Sequence, residues 1–67
     1  MRIRELRHDA NMTQSELAAK IGVSTQAVSN YELGKRYVPV SLLPAIKDAL
    51  GCTWEDLFGE NSTTNGG

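Results

Sequence analysis

The sequence contains a single cysteine, Cys52, and a single histidine, His8. One cysteine cannot form a disulfide within the chain, and together the two residues cannot supply the four ligands of a structural zinc site. No apolar run approaches the ~20 residues that span a bilayer, and the chain opens with no signal-peptide pattern. A free thiol in a small chain without disulfides is typical of a reducing compartment, so we expect a cytoplasmic protein.

The chain is also short of the features that an enzyme needs. Its 67 residues predict one small domain that buries about 60% of its unfolded surface, which leaves little room for a deep catalytic cleft. His8 and Asp9 are adjacent, and adjacent residues on a helix do not face each other. We find no nucleophile–base pair, metal cluster or phosphate loop, and therefore expect no enzyme, no cofactor and no small-molecule ligand.

The net charge is small, but the charged residues are unevenly distributed along the chain. The net charge is −1, which at first disfavours a polyanionic partner. Residues 1–36 carry six basic and four acidic residues, a net of +2, whereas residues 37–67 carry one basic and four acidic residues, a net of −3. The basic part of the domain can therefore face phosphate while the acidic part faces away.

No segment has the period-two alternation of a strand, and helix starts recur instead. Thr13 with Glu16 forms a capping-box pattern, Thr53 with Asp56 repeats it, and Ser24 is a third N-cap candidate; each is preceded by an apolar staple residue. Helix ends are marked by residues that tolerate a left-handed conformation: Asn11, Gly22, Gly34, Gly51 and Gly59.

These signals predict a compact all-α domain over residues 1–59 with five helices, followed by a disordered polar tail over residues 60–67. The predicted helices cover residues 2–10, 14–21, 25–33, 42–50 and 54–58. With Ser41 as N-cap, Pro44 falls in the first turn of the fourth helix, where its missing N–H costs nothing. The loop before that helix is then residues 34–41.

The most informative segment is residues 14–33. It predicts two short helices joined by the three-residue turn Gly22-Val23-Ser24, with Ala18 where the second helix would cross at close range. This arrangement is a helix-turn-helix. On the third helix, the face opposite Val28 and Tyr31 carries amides and hydroxyls but no carboxylate, and such groups can bond base edges in a major groove.

Residues 1–59 resemble the phage repressor and Cro type of helix-turn-helix domain, the XRE-like family. The resemblance rests on the segments Ile3–Arg7, Thr13–Ala18, Ile21–Ser24, Val28–Arg36 and Ala49–Gly51. It implies a lambda-repressor-like fold whose third helix enters the major groove of double-stranded DNA, usually as a homodimer on a two-fold operator. The corresponding function is a sequence-specific transcriptional regulator, most simply a repressor.

The resemblance also implies roles for individual residues. Base reading is expected from Thr25, Gln26, Ser29 and Asn30. Phosphate contacts are expected from Gln14, Ser24, Lys35 and Arg36, with Gln14 also bracing a base-reading side chain. Arg7 and Glu32 are expected to form a structural pair between the first and third helices.

Two expectations concern packing and partners. The apolar spacing predicts a core of Leu6, Leu17, Ile21, Val28, Tyr31, Leu42, Ile46, Leu50, Leu57 and Phe58. The C-terminal region near Trp54 and Phe58 is the candidate dimer contact. The alternative function left open is an antitoxin-like or other protein-interaction module of the same fold.

Overall fold

The structure, a computed structural model, describes residues 1–59, so the predicted tail over residues 60–67 lies outside the described residues. The described part is all-helical and contains no strand. Its elements are α1 (Ile3–Asp9), α2 (Gln14–Ile21), α3 (Thr25–Leu33), a 3₁₀ turn (Val40–Leu42), α4 (Leu43–Leu50) and α5 (Trp54–Phe58). The predicted all-α fold with five α-helices is confirmed.

Three of the four predicted N-caps are present: Thr13, Ser24 and Thr53. The Thr13 hydroxyl accepts from the Glu16 backbone N–H at 3.0 Å, and the Glu16 carboxylate accepts from the Thr13 N–H at 2.8 Å. Thr53 and Asp56 make the same reciprocal pair, and Ser24 Oγ accepts from the Ala27 N–H at 3.1 Å. Because caps occupy N–H groups that lack partners in the first turn, they position the starts of α2, α3 and α5.

Four of the five predicted left-handed helix ends have positive φ: Asn11, Gly22, Gly34 and Gly51. Gly59 does not, and that prediction is wrong. Its φ is −71° and the chain leaves α5 in an extended conformation. α5 has only five residues, and the Gly59 N–H bonds directly to the Glu55 carbonyl at 2.6 Å, so the helix closes without a left-handed residue.

The predicted N-cap of the fourth helix is also wrong, although the helix begins only one residue later than predicted. Ser41 lies inside the 3₁₀ turn rather than at an N-cap, and α4 begins at Leu43 with no side-chain cap. The Leu42 N–H bonds to the Pro39 carbonyl at 2.9 Å, so the turn leads straight into α4. Pro44 is therefore the second residue of α4, still within the turn that needs no N–H partner. The loop after α3 is correspondingly shorter than predicted.

The core is centred on α2, which packs against both α3 and α4, while α1 packs against α3 and α5. The largest fully buried side chains are Leu17, Ile46, Leu57 and Val28. Ile21 and Leu50 are buried as predicted, and the predicted residues Leu6, Tyr31 and Leu42 are half-buried against this core. Ile3 is buried although it was not predicted, because α1 packs against α3 and α5 and the Arg2 N–H bonds to the Leu57 carbonyl.

Phe58 was predicted in the core and is 47% exposed. In α5, Leu57 occupies the inward position and is fully buried. Phe58 follows about 100° further around the helix, where its ring stacks on Trp54 at a centroid distance of 6.1 Å. A five-residue helix buries one narrow stripe, and Phe58 lies outside it.

Ala18 is buried on α2, which packs against α3, and it is the residue predicted to lie where these two helices cross. We expect Ala18→Leu to overpack this crossing and destabilise the fold by about 1–3 kcal/mol. Ala19→Leu is the matched control, because Ala19 is the next residue on α2 and is exposed. Thermal unfolding of the two variants should differ by several degrees, and equal melting temperatures would contradict the close crossing.

Candidate nucleic-acid interface

The outer face of α3 presents a connected pair of amides. Thr25 and Gln26 are exposed, and Ser29 and Asn30 are half-buried. Gln26 Nε2 donates to Asn30 Oδ1 at 3.2 Å across one helical turn. This bond leaves the Gln26 oxygen and the Asn30 NH₂ group without protein partners among residues 1–59, so the pair offers both an acceptor and donors to a groove.

Ser24 and Gln14 lie at the starts of α3 and α2. The Ser24 hydroxyl accepts a bond as the N-cap of α3, so its own hydrogen remains available to donate. Gln14 Nε2 donates to Glu32 Oε1 at 3.0 Å. The structure therefore gives Gln14 a bond to Glu32 and none to a base-reading side chain, while its second amide hydrogen and its oxygen remain available.

Arg7 and Glu32 form a bidentate pair that joins α1 to α3. Arg7 Nε donates to Glu32 Oε2 at 2.7 Å, and a terminal nitrogen donates to Oε1 at 3.1 Å. The other terminal nitrogen donates to the Met12 carbonyl at 2.8 Å. The two side chains are only 9% and 3% exposed, so this is a desolvated pair rather than a surface ion pair.

The environment of the pair favours both charged forms. Burial by itself raises the pKa of Glu32, but hydrogen bonds from Arg7 and Gln14, with the nearby charges of Arg7 and Arg4, outweigh it and lower that pKa below its usual value. The hydrogen bond to Glu32 raises the pKa of Arg7 in spite of desolvation. The Glu32 charge is thus compensated, although it lies on the helix proposed to face DNA.

A cleft of about 360 Å³ adjoins this pair. Arg4 and His8 from α1, Gln14 from α2, and Ser29 and Leu33 from α3 line it, together with the Arg7–Glu32 pair. The reasoning from sequence assigned no role to Arg4. The available signal was its spacing, because Arg4, Arg7 and His8 recur three and four residues apart and so share one face of α1.

Lys35 and Arg36 follow Gly34, the C-cap of α3, and are exposed in the loop. The Lys35 N–H bonds to the Asn30 carbonyl at 2.9 Å, which fixes where the loop leaves the helix. Neither side chain forms an ion pair within residues 1–59. The loop after α3 therefore carries two cations without ion-pair partners among residues 1–59, while Glu55 and Asp56 lie on α5.

Comparison with known proteins agrees with this geometry. A family model described as helix-turn-helix matches residues 3–57. The chain belongs to the helix-turn-helix family. Membership supports a DNA-binding regulator as the general role, and the family resemblance inferred from sequence is confirmed.

The chain is also similar to a curated relative, the antitoxin PezA of Streptococcus pneumoniae serotype 4, at 32% identity over 63 residues. The match covers 94% of this chain and 40% of the relative, so the chain spans well under half of that protein. No solved structure matches the chain significantly. Within residues 1–59, no helix is long and apolar enough to cross a membrane.

Proposed function

We propose that this protein is a sequence-specific, double-stranded DNA-binding transcriptional regulator, most simply a repressor that occupies an operator in the cytoplasm. The observation that supports this most is the outer face of α3. It carries the Gln26–Asn30 amide pair and lacks an exposed carboxylate, and the exposed cations Lys35 and Arg36 follow α3 in the chain. That face is polar enough to bond bases and does not repel phosphate.

In the proposed complex α3 lies in the major groove and two classes of side chain act differently. Gln26 and Asn30 read bases, since the amides of Gln and Asn match the N6/N7 edge of adenine, while Thr25 and Ser29 contact neighbouring edges or a thymine methyl. Gln14, Ser24, Lys35 and Arg36 bind phosphates and fix the register of α3 without reading sequence. The buried Arg7–Glu32 pair holds α3 against α1.

The direct test is selection of bound duplexes from a random pool, followed by affinity measurement at several salt concentrations. We expect a defined preferred sequence and a logarithm of affinity that falls linearly with the logarithm of salt, because phosphate binding releases counterions. Enrichment of no sequence, or an affinity independent of salt, would contradict the proposal.

The second candidate function is an antitoxin-like module that acts mainly by binding another protein. The observation in its favour is the similarity to the antitoxin PezA, which extends over nearly the whole of this chain. An apolar protein interface depends weakly on salt, whereas DNA binding depends on it steeply. The same salt series therefore separates the two candidates.

We also propose that the regulator binds DNA as a homodimer, because one domain of this size reads only a half-site. The candidate contact is the aromatic patch of Trp54 and Phe58, which is about half exposed and has Lys47 Nζ 5.6 Å from the Trp54 ring centroid. A two-fold dimer would place the two α3 helices about 34 Å apart, one turn of DNA.

Replacing Phe58 with Asp should therefore reduce the dimer fraction in sedimentation and remove cooperative binding to a two-fold site. The matched control is Tyr37→Asp, which adds the same charge at an exposed aromatic residue outside the patch. A wild-type chain that is monomeric and binds a two-fold site without cooperativity would contradict the homodimer.

A further inference from the structure

The cleft between α1, the start of α2 and α3 has an excess of positive charge. Its one carboxylate, Glu32, is already bound by Arg7 and Gln14. Arg4 is exposed and forms no ion pair within the described range 1–59. Because the opposite charges of Arg7 and Glu32 cancel, the Arg4 guanidinium supplies the net positive charge of the cleft.

Donors converge on the same space. Arg4 and His8 lie one turn apart on α1 and both line the cleft, and Gln14 lines it from α2. A guanidinium has five N–H donors, and an imidazole has at least one in either tautomer. Such a set suits an anion with several acceptor oxygens.

The α3 side of the cleft carries no positive charge. Ser29, a proposed base-reading residue, lines it beside Leu33, which is 63% exposed. Leu33 can bond no phosphate oxygen. An anion at this edge of the reading face must therefore be held by α1 and α2 rather than by the end of α3.

We propose that this cleft binds one backbone phosphate of the DNA, with Arg4 as the principal charged ligand and His8 as a second donor. The inference rests on the proposed DNA-binding function and extends the contact surface to α1. The phosphate would lie at the edge of the major groove next to Ser29, towards the C-terminal end of α3. Arg4 then positions the duplex without reading its sequence.

The test compares Arg4→Gln with Arg2→Gln on a duplex selected from a random pool. Both changes remove one positive charge near the N-terminus of the chain, but Arg2 is hydrogen-bonded to Glu5 at 3.0 Å and does not line the cleft. We expect Arg4→Gln to weaken binding about ten-fold at low salt. It should weaken the selected and an unrelated duplex alike, and lower the salt slope by about 1. Arg4→Lys should recover most of the loss, and Arg2→Gln should leave the slope unchanged.

A second arm locates the phosphate. Uncharged methylphosphonate linkages are introduced one at a time along the selected duplex. At the linkage that Arg4 contacts, removing the phosphate charge should weaken binding of the wild-type protein. The same linkage should not weaken binding of Arg4→Gln any further, because that variant already lacks the guanidinium that binds this phosphate. Equal sensitivity of both proteins at every linkage would overturn the assignment.

The outcomes distinguish this proposal from the function on which it rests. If the wild type selects a sequence and shows a steep salt slope while Arg4→Gln matches Arg2→Gln, the cleft assignment is wrong and the DNA-binding function stands. If the wild type shows neither a preferred sequence nor a salt slope, both are overturned.

Discussion

Replacing Arg7 with Met is expected to destabilise the fold by about 3–5 kcal/mol, because the change leaves the Glu32 carboxylate buried without its bidentate partner. The Met12 carbonyl loses its bond as well. A domain of this length has a total stability of only about 3–10 kcal/mol, so the loss is a large fraction of the total. Chemical denaturation followed by Trp54 fluorescence or circular dichroism measures it.

Two further variants establish that the pair itself is responsible. Arg2→Met breaks an ion pair at the start of α1 whose side chains are 37% and 66% exposed, and it should cost less than about 1 kcal/mol. The double substitution Arg7→Met with Glu32→Leu removes both buried charges and should recover much of the loss. If the loss in the double variant equals the sum of the losses in Arg7→Met and Glu32→Leu alone, the two partners do not stabilise each other.

The same pair predicts an acid dependence of stability. The pKa of Glu32 is lower in the folded chain than its usual value. The stability that this shift contributes is therefore present above the unfolded pKa, about 4.3, and is lost as the pH falls through the folded pKa. Melting temperature measured from neutral to acid pH should fall more steeply for the wild type than for Glu32→Gln. Parallel curves would contradict this role of the carboxylate.

Replacing both Gln26 and Asn30 with Ala is expected to weaken binding to the preferred duplex by more than the loss of a single amide contact to a base, which is about 1–3 kcal/mol. Binding to an unrelated duplex should change little, because that binding is carried by phosphate contacts. The specificity ratio between the two duplexes, measured at one salt concentration, reports the effect.

Lys35→Ala and Arg36→Ala are the contrasting variants. They should weaken both duplexes alike and reduce the salt slope by about 1 each, leaving the specificity ratio unchanged. The Gln26 and Asn30 amides orient each other through a hydrogen bond of 3.2 Å, so the replacement of one also disturbs the other. The two single losses should therefore not sum to the loss of the double variant.

The helix starts could be predicted from sequence because they are local. Thr13 with Glu16 and Thr53 with Asp56 lie three residues apart, and each pair makes both hydrogen bonds that its spacing predicts. The start of α4 could not be predicted in the same way. It depends on a 3₁₀ turn that replaces a side-chain cap at Ser41, and no residue type marks such a turn.

Packing and site geometry depend on contacts distant in sequence. Phe58 and Leu57 are adjacent apolar residues, and only the placement of α5 against α1 decides which of them is buried. The Arg7–Glu32 pair joins residues 25 positions apart, and it was expected from family resemblance together with Glu32 being the only acidic residue of the third helix. Arg4 was missed for a related reason, because its position relative to Ser29 and Gln14 depends on how α1 packs against α3.

The central claim is that α3 reads the base sequence, and the most direct measurement is the binding of Gln26→Ala to every single base-pair variant of the selected duplex. If α3 is the reading element, the wild type discriminates at several base pairs, and Gln26→Ala loses that discrimination at one of them while retaining the others. If the variant instead binds every duplex more weakly by the same factor and keeps the full pattern of preferences, Gln26 contacts no base and the assignment of α3 as the reading helix is contradicted.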